Sequence, residues 1–572
     1  MRIAIGVAAV ALAAAAGPVA LAGGKVENRV LTDTASGRQA SFLVKLRSQA
    51  DLSAAYGMRN QDARGWYVYR TLRAEAERTQ GPLRALLRAR GVSFRPYWAA
   101  NLIAVHGGDR ALVEQLAARR DVGEIEANDP LRGVVEKEAA PELNAFLALR
   151  APTVVEPGVA KVHAPALWQR GFTGQGIVIG NQDTGVRWTH SALKPHYRGW
   201  NGTSADHNYS WHDSIHGQLA GTPNPCGYNS QVPCDDNGHG THTTGTTSGD
   251  DGAGNQIGVA PGAKWIGCHN MDQNVGRPET YTECFQWFIA PTDLNNQNPR
   301  PDLRPHVINN SWGCPRIEGC AAGTLRTIVE NTQASGIFVE GSAGNAGPQC
   351  NTVTDPPAIY DATFTTGAIR SSNNTLAPFS SRGPVLVDNS FRLKPDVVAP
   401  GVGVRSSFVT GDSEYVSLNG TSMAGPHVVG VVALLWSARP ELVRNIAATK
   451  ALLRSTADPR VVVSPAQTCR GVPSSRIPNN SFGYGLVDAL SAFEGRRPPP
   501  SPRRCVVPRA VGLRLPAAKR KIVRARCRVG RVTKAVSSVR KRGRVVAQSP
   551  RAGRRFARGR KVNLKVGRGP TR

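Results

Sequence analysis

Between residues 158 and 495, short apolar runs alternate with stretches of helical periodicity. This alternation predicts an α/β unit with a parallel sheet and helices on both faces. The predicted strands are Ile177–Gly180, Trp265–Cys268, His306–Asn309, Ile337–Val339, Thr363–Thr366 and Val397–Ala399. The predicted helices are Tyr281–Ile289, Thr324–Ala334, Thr421–Ser437 and Ile446–Thr456.

A smaller pattern of the same kind fills residues 38–135. Period-two runs and helical spacing follow each other there and predict a small α+β domain with three strands and two helices. The predicted elements are the strand Ser41–Leu46, the helix Tyr67–Arg90, the strand Leu102–Val105, the helix Arg110–Arg120 and the strand Val122–Glu126.

Residues 1–22 have the pattern of a secretory signal peptide. Arg2 precedes the apolar run Ile3–Ala16, and the residues from Ala20 to Ala22 fit an A-x-A cleavage site. An uncleaved anchor is the alternative. No other apolar run approaches membrane-spanning length, so we expect a secreted, extracellular protein without a transmembrane segment after signal removal.

The net charge of +30 is concentrated at the C-terminus. Residues 501–572 hold 25 of the 71 Lys and Arg and no Asp or Glu, so the rest of the chain carries only +5. Residues 496–503 are proline-rich and predict a stiff linker. The basic segment that follows should attract polyanions in a salt-dependent way. Nucleic acid is not the expected partner, because the export signal directs the chain away from it.

Ten cysteines in an exported chain favour disulfide bonds, and no spacing resembles a zinc site. The pairs Cys226/Cys234 and Cys314/Cys320 could close small loops. Cys268/Cys284 and Cys505/Cys527 are plausible pairs within their domains, and Cys350 and Cys469 are left over to pair together. The spacing leaves other connectivities open.

Residues of acyl-transfer chemistry occur in the order Asp183, His239, Asn345, Ser422. Asp183 ends an apolar strand, Asn345 follows another, and His239 lies between two glycines at the start of a small-residue helix. Ser422 falls at the start of a buried helix, where unpaired N–H groups favour developing negative charge. A serine nucleophile needs such a site together with a base and an orienting acid. Taken singly, each residue also fits a turn or packing role.

These stretches resemble the motifs of subtilisin-like serine proteases (subtilases), and within them those of bacillopeptidase F-type enzymes. The segments that carry the resemblance, which runs from about Val162 to Ala492, are Ile177–Gly185, Cys234–His242, Gly252–Trp265, Pro305–Trp312, Ser342–Gly347, Phe379–Pro384 and Asn419–His427. The resemblance implies a secreted serine endopeptidase that hydrolyses proteins or peptides through an acyl-enzyme. It implies that Asp183 orients the base His239, that Ser422 is the nucleophile and that Asn345 is an oxyanion donor.

The resemblance also implies a domain order. Residues 38–135 would be an inhibitor-type, ferredoxin-like propeptide of a zymogen, residues 136–157 the linker that is cut, and 158–495 the subtilisin-like catalytic domain. An independent binding domain is the alternative for 38–135.

The resemblance also implies two substrate-binding segments. The segment Asn310–Gly313, with Ser311, Trp312 and Gly313, would pair with extended substrate. Ser342, Ala343 and Gly344 would line one side of the P1 pocket. Two positions depart from the family pattern. Trp312 replaces a smaller apolar residue, which would reshape the subsite wall, and Gln182 is a polar group beside a buried acid and needs a partner.

Two further histidines and several loop acids receive structural roles. His242 is expected to pack or to form hydrogen bonds, and His427 is expected to be structural. No cofactor is required for the chemistry, whereas structural calcium is common in the family. The candidate calcium ligands are Asp235, Asp236, Asp250 and Asp251, although loop acids are more often turn formers.

Residues 504–570 resemble a PASTA domain, a small module of bacterial surface proteins. The resemblance rests on residues 505–569, with the cysteine pair and the alternating run Val562–Val566. It implies a small α+β module that holds the enzyme on peptidoglycan or on an anionic cell-wall polymer. A disordered basic tail is the alternative.

Two other functions remain open on the sequence. A catalytically silent envelope-binding protein could use the protease fold as a scaffold, although no member of the triad is lost. A sedolisin-type acid peptidase also has a Gly-Thr-Ser motif, but it uses a glutamate base and an aspartate at the oxyanion position. His239 and Asn345 argue against that mechanism.

Overall fold

The computed structural model describes residues 24–129, 155–496, 505–556 and 559–570. The predicted signal peptide and most of the predicted linker 136–157 lie outside these residues. The chain divides into two compact units, residues 1–497 and 498–572.

The first unit begins with a small domain whose sheet has the order β2-β3-β1-β4 and is antiparallel throughout. Its elements are α1 Asn28–Asp33, β1 Ala40–Leu46, α2 Gln61–Ala89, β2 Ser93–Tyr97, β3 Leu102–Gly108, α3 Arg110–Ala117 and β4 Val122–Ala127. The prediction of three strands was wrong, since β2 is a fourth. It contains Pro96, a residue that argues against a strand except at a sheet edge, which is where β2 lies.

The rest of the first unit is built on a parallel sheet, as predicted. Its order is β11-β10-β9-β8-β5-β7-β6, with β12 also paired to β10, and only β11 runs antiparallel to its neighbour. The strands of this sheet are β5 Val178–Asp183, β6 Trp211–Asp213, β7 Lys264–His269, β8 Val307–Asn309, β9 Phe338–Ser342, β10 Thr363–Arg370, β11 Thr375–Leu376 and β12 Val397–Pro400.

Helices flank this sheet, and two hairpins lie outside it. The helices are α4 Pro157–Lys161, α5 Ala164–Trp168, α6 His239–Ser248, α7 Pro278–Ile289, α8 Arg326–Ala334, α9 Thr421–Ala438, α10 Ile446–Thr456 and α11 Ala489–Glu494. The hairpins pair β13 Val404–Ser407 with β14 Tyr415–Leu418, and β15 Thr468–Cys469 with β16 Val472–Pro473.

Helix α9 is the centre of the larger core. Its residues from Thr421 to Trp436 are all buried, and they pack with Val259, Phe338 and Phe364 in one hydrophobic cluster. The helix is long and apolar enough to cross a membrane by composition, but it is mostly buried inside this unit. Such burial is typical of a central core helix.

The small N-terminal domain lies against helix α7. The buried Tyr97 donates its hydroxyl proton to Glu283 Oε2 at 2.7 Å, and its hydroxyl oxygen also lies 3.0 Å from Glu279 Oε1. His106 Nε2 lies 2.9 Å from Glu279 Oε2, and Asn128 Nδ2 donates to the same oxygen at 3.0 Å. Two buried carboxylates of the parallel-sheet body are therefore paired by side chains of this domain.

Helix α2 makes a second contact with that body. Arg64 Nε donates to the carbonyl of Ala334 at 2.7 Å, where helix α8 ends. A side chain at the neighbouring Gly65 would collide with the guanidinium of Arg304. The helix thus fits closely against the carboxyl end of α8.

All ten cysteines form disulfide bonds, in the five pairs proposed from the sequence. The pairs are Cys226–Cys234, Cys268–Cys284, Cys314–Cys320, Cys350–Cys469 and Cys505–Cys527.

The second unit has its own small core, which includes the Cys505–Cys527 pair, Ile522 and Leu564. Its elements are β17 Cys505–Val506, α12 Leu515–Arg524, β18 Arg528–Ala535, β19 Val545–Ser549, β20 Arg555–Phe556 and β21 Lys561–Gly567. Strand β21 alternates exposed and buried positions, as its sequence predicted. The segment is a folded α+β module, so the alternative of a disordered tail does not hold for its described residues.

Candidate active site

Asp183 and His239 form a buried pair at the carboxyl end of the sheet. Asp183 is the last residue of β5, and His239 is the first of α6. His239 Nδ1 lies 2.7 Å from Asp183 Oδ1. Burial alone lowers the pKa of His239, but the charge of Asp183 and this hydrogen bond outweigh it and raise the pKa above its ordinary value. The bond fixes Nδ1 as the donor and leaves Nε2 to accept a proton.

Asp235 holds the turn that presents His239. One of its carboxylate oxygens accepts from the N–H groups of Asn237 and Gly238, at 3.0 and 2.7 Å. The same oxygen accepts from Thr184 Oγ1 at 2.9 Å, directly after Asp183. Asp235 therefore connects the acid and the base segments. This role was not predicted from the sequence, although an acid two residues before an Asn-Gly turn is a signal for it.

Ser422 lies in the first turn of α9, beside the carbonyl of Ser311. Its Oγ donates to that carbonyl at 2.9 Å, and Ser311 Oγ donates back to the Ser422 carbonyl at 2.9 Å. Ser422 and His239 line one cleft of about 360 Å³. The hydroxyl rotor must turn from Ser311 toward His239 before its proton can be transferred, as is common without substrate.

Asn345 is oriented by the residue before the serine. Its Oδ1 accepts from the N–H of Thr421 at 2.9 Å and from Thr421 Oγ1 at 3.0 Å. Because the amide oxygen is used in this way, the Nδ2 group is left as the donor that faces the cleft. Asn345 is exposed and lines the cleft together with Ser422.

The two predicted substrate segments line this same cleft on two sides. They are Ser311, Trp312 and Gly313 after β8, and Ser342, Ala343 and Gly344 at the end of β9. Each segment follows a strand of the parallel sheet, where ligands of such sheets bind.

The two departures at Trp312 and Gln182 are linked to each other. The indole N–H of Trp312 donates to the carbonyl of Gln182 at 3.0 Å. The side-chain amide of Gln182 donates to Asn310 Oδ1, which is the partner that its burial requires. Trp312 also stacks on Tyr281, with ring centroids 4.0 Å apart and planes at 9°. The larger side chain at 312 thus forms a fixed wall of the cleft.

His242 and His427, which were expected to have structural roles, are buried and pair with backbone carbonyls. His242 Nε2 donates to the carbonyl of Val404 at 3.0 Å, and burial lowers its pKa to about 3. His427 Nδ1 donates to the carbonyl of Met423 at 2.9 Å, and burial lowers its pKa to about 4. Both are neutral hydrogen-bonding groups, as expected.

The four candidate calcium ligands accept hydrogen bonds from protein groups. Asp235 is held by N–H groups, and Asp236 Oδ2 accepts from Asn224 Nδ2 at 2.6 Å. Asp250 accepts from Gly252 N at 2.9 Å and Asp251 from Ala253 N at 2.8 Å. No group of three or more His, Cys, Asp or Glu in the described chain could hold a metal ion. Structural calcium therefore stays a prediction from the resemblance.

Comparison with known proteins finds relatives that each match a part of this chain. Bacillopeptidase F of Bacillus subtilis (strain 168) is 37% identical over 407 residues, which cover 69% of this chain and 26% of that protein. Subtilisin E of the same strain is 31% identical over 285 residues, 50% of this chain and 61% of subtilisin E. Subtilisin DY of Bacillus licheniformis is 33% identical over 286 residues, 50% of this chain and 85% of that protein. The chain thus spans about a quarter of the length of bacillopeptidase F and less than two thirds of subtilisin E.

Two families match the chain itself. Residues 506–568 match the PASTA domain, which agrees with the folded second unit. Residues 174–485, more than half of the chain, match the subtilase family and include Asp183, His239, Asn345 and Ser422. The chain therefore belongs to the subtilase family.

Proposed function

We propose that the protein is a secreted serine endopeptidase. His239 takes the proton of Ser422 as Oγ attacks a peptide carbonyl, and then gives it to the leaving amine. Asp183 holds the imidazole in the required tautomer and stabilises the imidazolium. Asn345 Nδ2 and the N–H of Ser422 bind the oxyanion of the tetrahedral intermediate. Subtilases need no cofactor for this chemistry.

The observation that carries the proposal is the convergence of these groups. The Asp183–His239 hydrogen bond of 2.7 Å leaves Nε2 as the base, and Asn345 turns its amide donor toward the cleft where Ser422 lies. A scaffold without catalytic function would gain nothing from a buried, charge-paired histidine beside an oriented amide. This geometry favours the enzyme over the silent envelope-binding protein.

Covalent labelling with a fluorophosphonate tests the proposal. The mature protein should react at one serine, and peptide mass mapping should place the adduct on Ser422. Ser417, which lies in strand β14 just upstream, is an internal control and should remain unmodified. A mature, folded protein that forms no adduct on Ser422 would rule out the serine-protease mechanism.

We also propose that residues 38–135 are the propeptide of a zymogen. The carbonyl of Ala127 lies 3.3 Å from the Cβ position of Gly319, and Asn128 binds Glu279. Glu318, which precedes Gly319, lines the cleft. The chain thus leaves the small domain beside the cleft, which favours an inhibitory domain over an independent binding module.

The second unit is proposed to hold the enzyme on an anionic cell-wall polymer. Every described Lys and Arg of residues 505–570 is exposed, and the segment contains no acid to neutralise them. Helix α12 alone presents Lys519, Arg520, Lys521 and Arg524. PASTA domains bind peptidoglycan-related ligands, which is the alternative partner.

Salt dependence separates these two ligands. We expect the full-length protein to bind isolated cell walls at low salt, and a chain truncated after residue 497 to bind at least tenfold more weakly. Binding should fall steeply between about 50 and 500 mM salt, because exposed charges are screened. A Lys519→Gln/Arg520→Gln/Lys521→Gln variant should show an intermediate affinity. Equal binding of full-length and truncated protein at low salt would contradict the proposal, and binding that salt does not weaken would favour peptidoglycan.

A further inference from the structure

The charged side chains that line the cleft are mainly carboxylates. Besides His239, the ionisable side chains that line it are the carboxyl groups of Glu318 and Asp355. Among the described residues, no Lys or Arg lines the cleft. A peptide side chain that enters the cleft therefore meets carboxylates and no fixed positive charge except a protonated His239.

Asp355 lies between the two substrate segments. A Cβ atom on Gly313 would lie 3.2 Å from Cβ of Asp355, so the acid faces the first segment directly. The residues that follow Gly313 and Asp355 are also hydrogen-bonded to each other. The N–H of Cys314 donates to the carbonyl of Pro356 at 2.8 Å.

The same stretch of chain also meets the second segment. A Cβ on Gly341, just before Ser342, would lie 3.6 Å from Pro357 Cγ and 3.8 Å from Ala358 Cα. Residues 355–358 thus contact both substrate segments, and we call this stretch the floor of the cleft between them. Asp355 is the ionisable side chain of this floor, and the buried Ala358 lines the cleft beside it.

Glu318 occupies a different part of the cleft. Its Oε2 accepts the hydroxyl of Tyr281 at 2.7 Å, and Tyr281 is the ring on which Trp312 stacks. Glu318 therefore belongs to the wall behind Trp312, on the side of the first segment, and not to the floor between the two segments.

We propose that Asp355 makes the cleft select a basic residue, Arg or Lys, at P1, the substrate position whose carbonyl is attacked. This inference rests on the proposed peptidase function. The guanidinium or ammonium group would form a charge-assisted hydrogen bond with the Asp355 carboxylate, which is about twice as strong as a neutral one. Asp355 Oδ1 accepts the hydroxyl of Thr354 at 3.1 Å, and a carboxylate can accept further hydrogen bonds, so Asp355 can also accept from a cationic side chain. A P1 residue without a charged donor would lose this interaction. An acidic P1 residue would be repelled.

The segment that joins the small domain to the catalytic body supplies a natural substrate of this kind. Residues 130–154, outside the described part of the chain, contain Arg132, Lys137 and Arg150. If the enzyme cuts this segment itself, the cut should follow one of these three residues. The new N-terminus would then be Gly133, Glu138 or Ala151.

The test uses the matured full-length protein and fluorogenic peptides that differ only at P1: Arg, Lys, norleucine, Phe or Glu. We expect kcat/KM to be at least about tenfold higher for Arg than for norleucine, a side chain of similar length without charge. Asp355→Asn should reduce that ratio about tenfold or more, and Asp355→Lys should favour Glu over Arg. Glu318→Gln is the matched control and should change the Arg-to-norleucine ratio less than threefold. Fluorophosphonate titration gives the concentration of active sites in each variant.

The outcomes distinguish a failure of the proposed peptidase function from a failure of the proposed P1 selection. If wild type hydrolyses none of the peptides and does not react with the fluorophosphonate, the peptidase function itself fails, and P1 selection fails with it. If wild type reacts and hydrolyses norleucine or Phe as well as Arg, P1 selection is overturned and the peptidase stands. The same holds if Asp355→Asn leaves the ratio unchanged, if Glu318→Gln lowers it as much, or if purified wild type that depends on Ser422 for this cut cleaves the segment after none of the three basic residues.

Discussion

Replacing Ser422 by alanine is expected to abolish both casein hydrolysis and the loss of the N-terminal segment. Without Oγ there is no nucleophile for the acyl-enzyme, and the expected loss in kcat is on the order of 10⁵ to 10⁶. Purified wild type and variant are incubated with casein, and chain length is followed on a gel over time. Because Ser422 Oγ makes only a hydrogen bond to the Ser311 carbonyl, its removal should leave the fold intact.

Ser417→Ala is the control, since it removes a hydroxyl from the neighbouring hairpin strand and not from the cleft. This variant should mature and digest casein like wild type. A Ser422→Ala protein that still shortens in purified form would show that another protease makes the cut. If Ser422→Ala protein digested casein at a rate near that of wild type, a different nucleophile would have to be sought.

Asp183→Asn is expected to lower kcat/KM about 10⁴-fold. The carboxylate now accepts the Nδ1 proton of His239 at 2.7 Å, whereas an amide can donate to Nδ1 and so stabilise the tautomer whose Nε2 carries the proton. In that tautomer the imidazole cannot take the proton of Ser422. Hydrolysis of a fluorogenic peptide, with circular dichroism to verify the fold, measures the effect.

Asp236→Asn is the matched control for this variant. The carboxyl group of Asp236 is buried and lies close to His239 in sequence, but its Oδ2 lies 3.0 Å from Nε2 of a different histidine, His269. We expect it to lower thermal stability and to change kcat/KM less than tenfold. A Asp183→Asn enzyme within tenfold of wild type would mean that Asp183 is not the orienting acid.

The local parts of the fold could be predicted because local patterns determine them. The apolar runs at Val307–Asn309 and Val397–Pro400 and the helix Ile446–Thr456 follow from periodicity alone. Strand β2 could not be recognised in this way. Its sequence, from Ser93 to Tyr97, includes Arg95 and Pro96 and is explained only by its edge position and by its contact with helix α7.

The candidate catalytic residues could be predicted from their motifs, but the hydrogen-bond partners that hold the surrounding segments could not. The partner of Gln182 is Asn310, and the partner of its carbonyl is Trp312, about 130 residues further along the chain. Asp235 looked like a loop acid, and its role appears only when its distances to Thr184 and Gly238 are known. Long-range pairs of this kind depend on the strand order β8-β5-β7, which no single sequence window contains.

The disulfide bonds make the structure of the cleft depend on whether the surroundings are oxidising or reducing. Cys314–Cys320 closes the loop that carries Glu318, and Cys350–Cys469 ties the loop after Asn345 to a distant hairpin. A bond that closes a loop of about 119 residues contributes about 4 to 5 kcal/mol in the chain-entropy model. In a reducing cytosol these cysteines would be thiols, and the loops that shape the cleft would lack this support. If the protein is exported and active as proposed, its cleft would be complete only after export, and the cysteine pairing would limit proteolysis inside the producing cell.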